Sequence, residues 1–147
     1  NPKARGDVKL RSPNPLDLPL INPNFLSNQD DLTLMVDSVK FARSVVKSKP
    51  LSDIVIDETL PGKNINTNED LINYCKRTVK TNWHPVGTCK MGKEDDPYAV
   101  LNNNLQVYGV ENLRVFDVSM MPKLVSGNTN APAMAIANHA VNIMLSK

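Results

Sequence analysis

Hydrophobic residues at three- and four-residue steps predict an amphipathic helix in the first half of the chain. Asn28 can cap its start, Asp30 and Asp31 suit the positive end of the helix dipole, and Pro50 stops it. The apolar positions that share one face are Leu32, Met35, Val36, Val39, Ala42 and Val46. We therefore expect a helix that begins at Asn28 and ends before Pro50.

Two more helices are predicted further along. One begins at Asn66 or Thr67, whose side chains can cap free N–H groups, and runs to about Lys80. The last has Pro132 in its first turn, where a missing N–H costs nothing. Its apolar residues lie nearly all round the helix, so we expect it to be mostly buried: Met134, Ile136, Ala137, Ala140, Val141, Ile143 and Met144.

Short strands are predicted between these helices. Alternating residues in Asp7–Arg11 indicate a strand with one wet face, and the proline-rich residues 12–25 indicate a loop or edge segment. The β-branched run Ile54–Ile56 could form a brief strand within a loop, and Leu113–Asp117 is typical of a strand. With the polar loop and helix that follow it, Leu113–Asp117 would form a βα unit, which predicts an α/β fold class.

Composition changes this picture only in part. The chain has 147 residues, is 41% hydrophobic and 22% charged, and begins at Asn1 rather than methionine, so we expect a piece of a soluble globular protein. Its net charge of +2 is spread without a basic stripe, so we expect no nucleic acid partner. The apolar tract from Ala131 to Leu145 is too short to span a membrane. No targeting signal is recognisable, and the compartment stays open.

Two polar runs carry the candidate chemistry, Asn82–Cys89 and Ser126–Pro132. The imidazole of His84 can accept a proton near neutral pH, and the uncharged amide of Asn128 can donate and accept hydrogen bonds. This pair suits proton abstraction from an alcohol. The alternatives are that His84 only hydrogen-bonds inside a corner, that Asn128 only closes a turn and that Asn130 only caps the helix.

The sequence fits a zinc site or a hydrolase active site only poorly. A zinc site would need Cys75, His84, Cys89 and His139, whose spacings follow no regular ligand pattern. A hydrolase would use Ser126 with His84, but the chain has no G-x-S-x-G sequence to present the serine as a nucleophile.

Four runs, in order, resemble the C-terminal signature of the glucose–methanol–choline (GMC) flavin oxidoreductases. They are residues 83–92 (WHPVGTCKMG), 105–110 (LQVYGV), 113–122 (LRVFDVSMMP) and 126–132 (SGNTNAP). Residues 90–92 and 96–100 look most like insect glucose-dehydrogenase-type members. The resemblance implies an FAD cofactor, an alcohol or sugar substrate, and a quinone or oxygen as electron acceptor.

The resemblance also implies roles for individual residues. His84 would take the hydroxyl proton of the substrate while hydride passes to the flavin, and Asn128 would hydrogen-bond the same oxygen. Relatives often carry histidine where this chain has Asn128, so His84 alone would be the base. The residues expected to bind the cofactor are Asp117 and Val118, near its phosphate and ribitol, and Asn130, Ala131 and Pro132, beside the flavin pyrimidine ring.

The expected organisation is an α/β fragment of two parts. Residues 1–82 would complete a mixed-sheet substrate-binding domain, and residues 83–147 would supply the last strand and helix of a Rossmann-like FAD-binding domain. None of the six glycines forms the G-x-G-x-x-G turn that receives a pyrophosphate, so we expect this segment to be inactive alone. The alternative function is a catalytically inactive family member that acts as a binding or structural protein.

Overall fold

The computed structural model describes residues 1–146 and confirms the α/β class. Within this range lie a two-stranded sheet and three α-helices, with short 3₁₀ helices at Leu51–Asp53 and Val118–Met120. In chain order the main elements are β1 (Asp7–Lys9), β2 (Leu20–Asn22), α1 (Gln29–Val46), α2 (Asn68–Thr78) and α3 (Asn130–Leu145). Lys147, the end of the expected second part, lies outside the described residues.

The chain divides into two compact units. Residues 2–80 form one unit, and residues from Thr81 onward form the other together with Asn1. The division lies two residues before the boundary expected at residue 82. Assigning these units to a substrate domain and an FAD domain stays a prediction.

Helices α1 and α2 form the core of the first unit. The side chain of Asn28 caps α1 by accepting from Asp30 N–H, and Thr67 and Asp70 form a reciprocal capping box on α2. The buried residues between the helices are Leu32, Val36, Leu71 and Cys75. Burial raises the pKa of the Cys75 thiol, so this cysteine stays protonated and serves packing. Both predicted helices are confirmed.

The strands β1 and β2 form an antiparallel hairpin in which Val8 lies opposite Ile21. A Cβ added to Gly6 would overlap the carbonyl oxygen of Asn22, so only glycine fits where the two segments approach. Every residue of both strands is exposed. The expectation of a single wet face is therefore wrong for this hairpin within the described chain.

The loop between α1 and α2 contains no strand at Ile54–Ile56, which corrects that prediction. The N–H groups of Ile54 and Val55 both donate to Leu51 O, so the turn uses the bonds that a strand would offer to a neighbour. An ion pair fixes the loop instead. The guanidinium of Arg43 donates to Glu58 at 2.7 to 3.1 Å, and Glu58 also accepts from Gly62 N–H.

The second unit is built around Leu101, which is fully buried. Four extended segments, residues 90–92, 100–102, 105–108 and 113–115, surround it through irregular backbone hydrogen bonds. The predicted strand at Leu113–Asp117 is wrong, because Val115 N–H donates to Leu105 O and only Arg114 forms a bridge, with Gln106.

Helix α3 has the predicted position but not the predicted burial. Among its described residues only Ala140 is buried, and Met134 is 61% exposed. The prediction assumed neighbours on all sides, and the described residues supply them on one side only. Within residues 1–146, no helix combines the length and apolar character needed to cross a membrane.

We predict that Glu58→Gln lowers the free energy of unfolding by about 1 kcal/mol at pH 7, because a partly exposed charge-assisted pair contributes little more. Hydrogen bonds from Arg43 hold the pKa of Glu58 below its ordinary value of 4.5. The stabilisation is therefore present above pH 4.5 and is lost as the pH falls through the lowered pKa. Urea unfolding at pH 7 and in stepwise more acidic buffer measures both effects.

The matched control is Glu94→Gln, which removes an exposed carboxylate that has no hydrogen bond or ion pair with any described residue. It should leave the free energy of unfolding unchanged at every pH. Equal losses in the two variants would contradict a specific role for the Arg43–Glu58 pair.

Candidate active site

Two backbone hydrogen bonds hold the His84 run beside a distant segment. Cys89 N–H donates to Ser119 O at 3.0 Å, and Met91 N–H donates to Met120 O at 2.8 Å. Because both bonds lie on one side of the 84–91 run, they align it with the start of the loop that leads to α3. These bonds join the His84 run to the segment that precedes Ser126–Pro132, and not to that motif itself.

Gly87 allows this alignment at close range. Its φ of +86° lies in the left-handed region, and an added Cβ would lie 3.1 Å from Met121 O. A side chain here would be strained by its own backbone and would also press on a carbonyl oxygen. Gly87 therefore sets the path of the chain three residues after His84.

The side chain of His84 contacts the second motif directly. Its Nδ1 lies 2.8 Å from Oγ1 of Thr129, forty-five residues away, and both side chains are half-buried. Asn128 and Asn130 flank Thr129 along the chain, and both are exposed. The hydrogen bond of His84 is therefore made with the other candidate loop and not within its own corner.

The N-terminus of α3 has unused hydrogen-bond donors. The first bond into the helix runs from Ala133 N–H to Thr129 O, and Pro132 has no N–H to offer. No described residue accepts from the N–H groups of Asn130 and Ala131, which carry the partial positive charge of the helix end. The N-cap is Thr129, so the alternative in which Asn130 caps the helix is wrong.

Asp117 and Val118 lie where the chain enters the loop before α3. The carboxylate of the exposed Asp117 accepts from Ser119 N–H at 2.7 Å, and hydrogen bonds from Ser119 lower the pKa of Asp117. The backbone N–H groups of Asp117 and Val118 have no acceptor among the described residues. The geometry leaves these two N–H groups available to a ligand oxygen, while the carboxylate stays ionised.

Sequence reasoning missed Ser119 and Thr129. The spacing Asp117-x-Ser119 is a signal for the first, because an aspartate often accepts from the N–H two residues on. Thr129 directly before a helix suggests an N-cap, but its side chain makes no capping bond. The contact of Thr129 with His84 has no signal in the local sequence.

The other candidate sites do not assemble. Among residues 1–146, no three or more side chains of His, Cys, Asp or Glu are grouped to hold a metal, and Cys75 and Cys89 are free thiols. His139 is exposed on α3. No hydrogen bond joins His84 to Ser126 in the described structure, so a serine nucleophile has no paired base.

Comparison with known protein families identifies the family to which this chain belongs. A family model described as GMC oxidoreductase, built on the C-terminal domain of that family, matches residues 2–137. The chain belongs to the GMC oxidoreductase family. The resemblance inferred from the four sequence runs is confirmed.

Individual relatives agree with the family match. The chain is 41% identical over 146 residues to an alcohol dehydrogenase [acceptor] of Pseudomonas putida. The aligned region covers 99% of this chain and 26% of that protein. It is similar to the crystal structure of pyridoxine 4-oxidase from Mesorbium loti, with 33% identity and a TM-score of 0.87 over 96% of this chain and 27% of the other.

An FAD-dependent oxidoreductase from Chaetomium thermophilum also matches, with 28% identity and a TM-score of 0.87 over 95% of this chain and 24% of the other. The chain thus spans about a quarter of the length of these relatives. The comparisons therefore establish the family and the fold of this chain. The activity of the whole protein is proposed below.

We predict that Gly87→Ala lowers the free energy of unfolding by about 2 kcal/mol, because left-handed backbone strain adds to a contact with Met121 O. Gly109 has a φ of +73° with open space around it, so Gly109→Ala should cost about 1 kcal/mol from strain alone. Gly127→Ala, with neither feature, should be close to neutral. Urea unfolding of the three variants tests this order, and equal effects at Gly87 and Gly109 would exclude the close contact.

Proposed function

We propose that the complete protein is an FAD-dependent oxidoreductase that acts on CH–OH groups of a small alcohol or sugar, with His84 as the base. The observation that carries the proposal is the hydrogen bond between His84 and Thr129. It brings a proton-accepting side chain to a helix N-terminus whose donors are unused. Membership of the GMC family supports the same chemistry.

The reaction removes one proton and one hydride from the substrate, and the hydride carries both electrons. The hydroxyl proton passes to His84, the α-hydrogen leaves as hydride, and the carbon–oxygen single bond becomes a carbonyl. FAD, when bound, supplies the two-electron acceptor for that hydride. His84 suits its task because a neutral imidazole has one ring nitrogen that can accept a proton.

Asn128 is proposed to bind the substrate oxygen from which His84 takes the proton. Its amide is exposed, lies next to Thr129 along the chain, and can donate a hydrogen bond without changing charge. A donor aimed at an oxygen that is losing its proton stabilises the developing negative charge. An asparagine cannot act as a second base, so His84 alone accepts the proton.

The residues of this chain fit FAD on both predicted sides. The free N–H groups of Asn130 and Ala131, at the positive end of α3, suit a pyrimidine carbonyl that gains negative charge on reduction. Pro132 follows them as the third helical residue. The free N–H groups of Asp117 and Val118 suit ribitol or phosphate oxygens.

A finer proposal is a glucose-dehydrogenase-like enzyme that passes electrons to a quinone-type acceptor. It rests on the resemblance of residues 90–92 and 96–100 to insect members. Lys90 donates to Asp96 at 2.6 Å and its Nζ lies 5.7 Å from the ring centre of Tyr98. These contacts also hold together the loop that joins Lys90 to Tyr98. Comparing reoxidation of the reduced enzyme by a quinone and by oxygen tests the acceptor.

We predict that His84→Ala in the complete protein keeps bound flavin but slows its reduction by substrate by about 10²- to 10⁴-fold, the usual contribution of a general base. Anaerobic stopped-flow absorbance measures the rate. The matched control is His139→Gln, which changes the chain's other histidine, exposed on α3, and should reduce flavin normally.

Wild-type rates of flavin reduction in His84→Ala would refute the assigned base. Failure of the unmodified protein to reduce flavin with any alcohol or sugar would instead favour the inactive binding protein.

A further inference from the structure

We propose that Thr129 is a positioning residue that holds His84 as the tautomer protonated on Nδ1 and leaves Nε2 free to accept the substrate proton. The inference rests on the proposed function and adds a residue to it. Its basis is the 2.8 Å contact between His84 Nδ1 and Thr129 Oγ1. A neutral imidazole has one donor and one acceptor nitrogen, so the partner of one nitrogen decides the state of the other.

The other ring nitrogen has no competing partner. Nε2 of His84 makes no hydrogen bond with any described residue, so it is the nitrogen available to a ligand. It can accept a proton only if Nδ1 carries the ring hydrogen and donates it to Thr129. Once Nε2 is protonated, Nδ1 must still donate. A Thr129 that already accepts from Nδ1–H therefore needs no rearrangement during the reaction.

The local sequence explains why the Thr129 hydroxyl is available. An N-cap side chain normally accepts from the N–H of the second or third helical residue and has an extended backbone. Here the third helical residue is Pro132, which has no N–H, and Thr129 has φ −81° and ψ −5°, which is helical. Its hydroxyl makes no capping bond and is used by His84 instead.

The environment strengthens the contact. Both side chains are half-buried, so water competes less for the hydrogen bond than it would at an exposed pair. The backbone bonds of Cys89 and Met91 to residues 119 and 120 hold the His84 run in place. The imidazole is thus oriented by a hydroxyl that does not itself need to touch the substrate.

The test uses the complete FAD-loaded protein with Thr129→Val, which keeps the shape but loses the hydroxyl, and Thr129→Ser, which keeps the hydroxyl. Nitrogen-15 NMR of labelled histidine reads the ring tautomer directly, and the signals of His84 are those missing from His84→Gln. We expect wild type and Thr129→Ser to carry the proton on Nδ1 and Thr129→Val to shift toward Nε2–H. An unchanged tautomer in Thr129→Val would overturn the proposal.

Kinetics give a second readout. Flavin reduction should slow by about tenfold or more in Thr129→Val, as expected when a base loses its orienting partner, and should recover in Thr129→Ser. In a His84→Gln background, Thr129→Val should add no further loss. An equal loss in that background would show a merely structural role and would also overturn the proposal.

The two proposals fail in different ways. If His84→Gln reduces flavin at the wild-type rate, the proposed function is wrong whatever the NMR shows. If His84→Gln is slow while Thr129→Val matches wild type in rate and tautomer, only the role of Thr129 is wrong.

Discussion

The backbone hydrogen bonds that join Cys89 to Ser119 and Met91 to Met120 are the constraint on which the candidate site depends. Each motif alone is a polar loop, and an isolated loop cannot hold an imidazole at a fixed distance from a hydroxyl. The two bonds close the chain between residues 89–91 and 119–120, and the entropy cost of such a closure grows only slowly with the length of the loop. The side-chain contact of His84 with Thr129 adds a second connection, nine residues further along the chain.

The parts of the fold that could be predicted from sequence are those specified by neighbouring residues. The capping side chains Asn28 and Thr67, together with the spacing of apolar residues, predict where α1 and α2 begin and end to within one or two helical turns. The predictions of strands at Ile54–Ile56 and Leu113–Asp117 were wrong because a strand needs a neighbouring strand to pair with, and the local sequence does not specify that neighbour. In both runs, backbone N–H groups found acceptors in turns or irregular neighbours instead.

The candidate site shows the same division. The chemical type of His84 could be read from sequence, because the residue type alone supplies an imidazole that can accept a proton. The role of Thr129 could not, since a threonine before a helix predicts a cap, and only the fold directs its hydroxyl elsewhere. Pro132, the third residue of the helix, has no N–H and so removes one of the two usual capping targets. Sequence contains that clue, but its consequence needs the tertiary contact.

The exposed apolar surface of α3 bears on what the segment can do. Met134, Val141 and Leu145 are 61%, 46% and 77% exposed, which is unusual for a helix so poor in polar residues. The relatives that match this chain are about four times as long, since the match covers 26% of the alcohol dehydrogenase. Covering such a helix would also exclude water from the free N–H groups at its start, and those groups bind a developing charge far better when dry. Under the proposed function, the burial of α3 and the stabilisation of charge at its N-terminus would therefore depend on the same contacts.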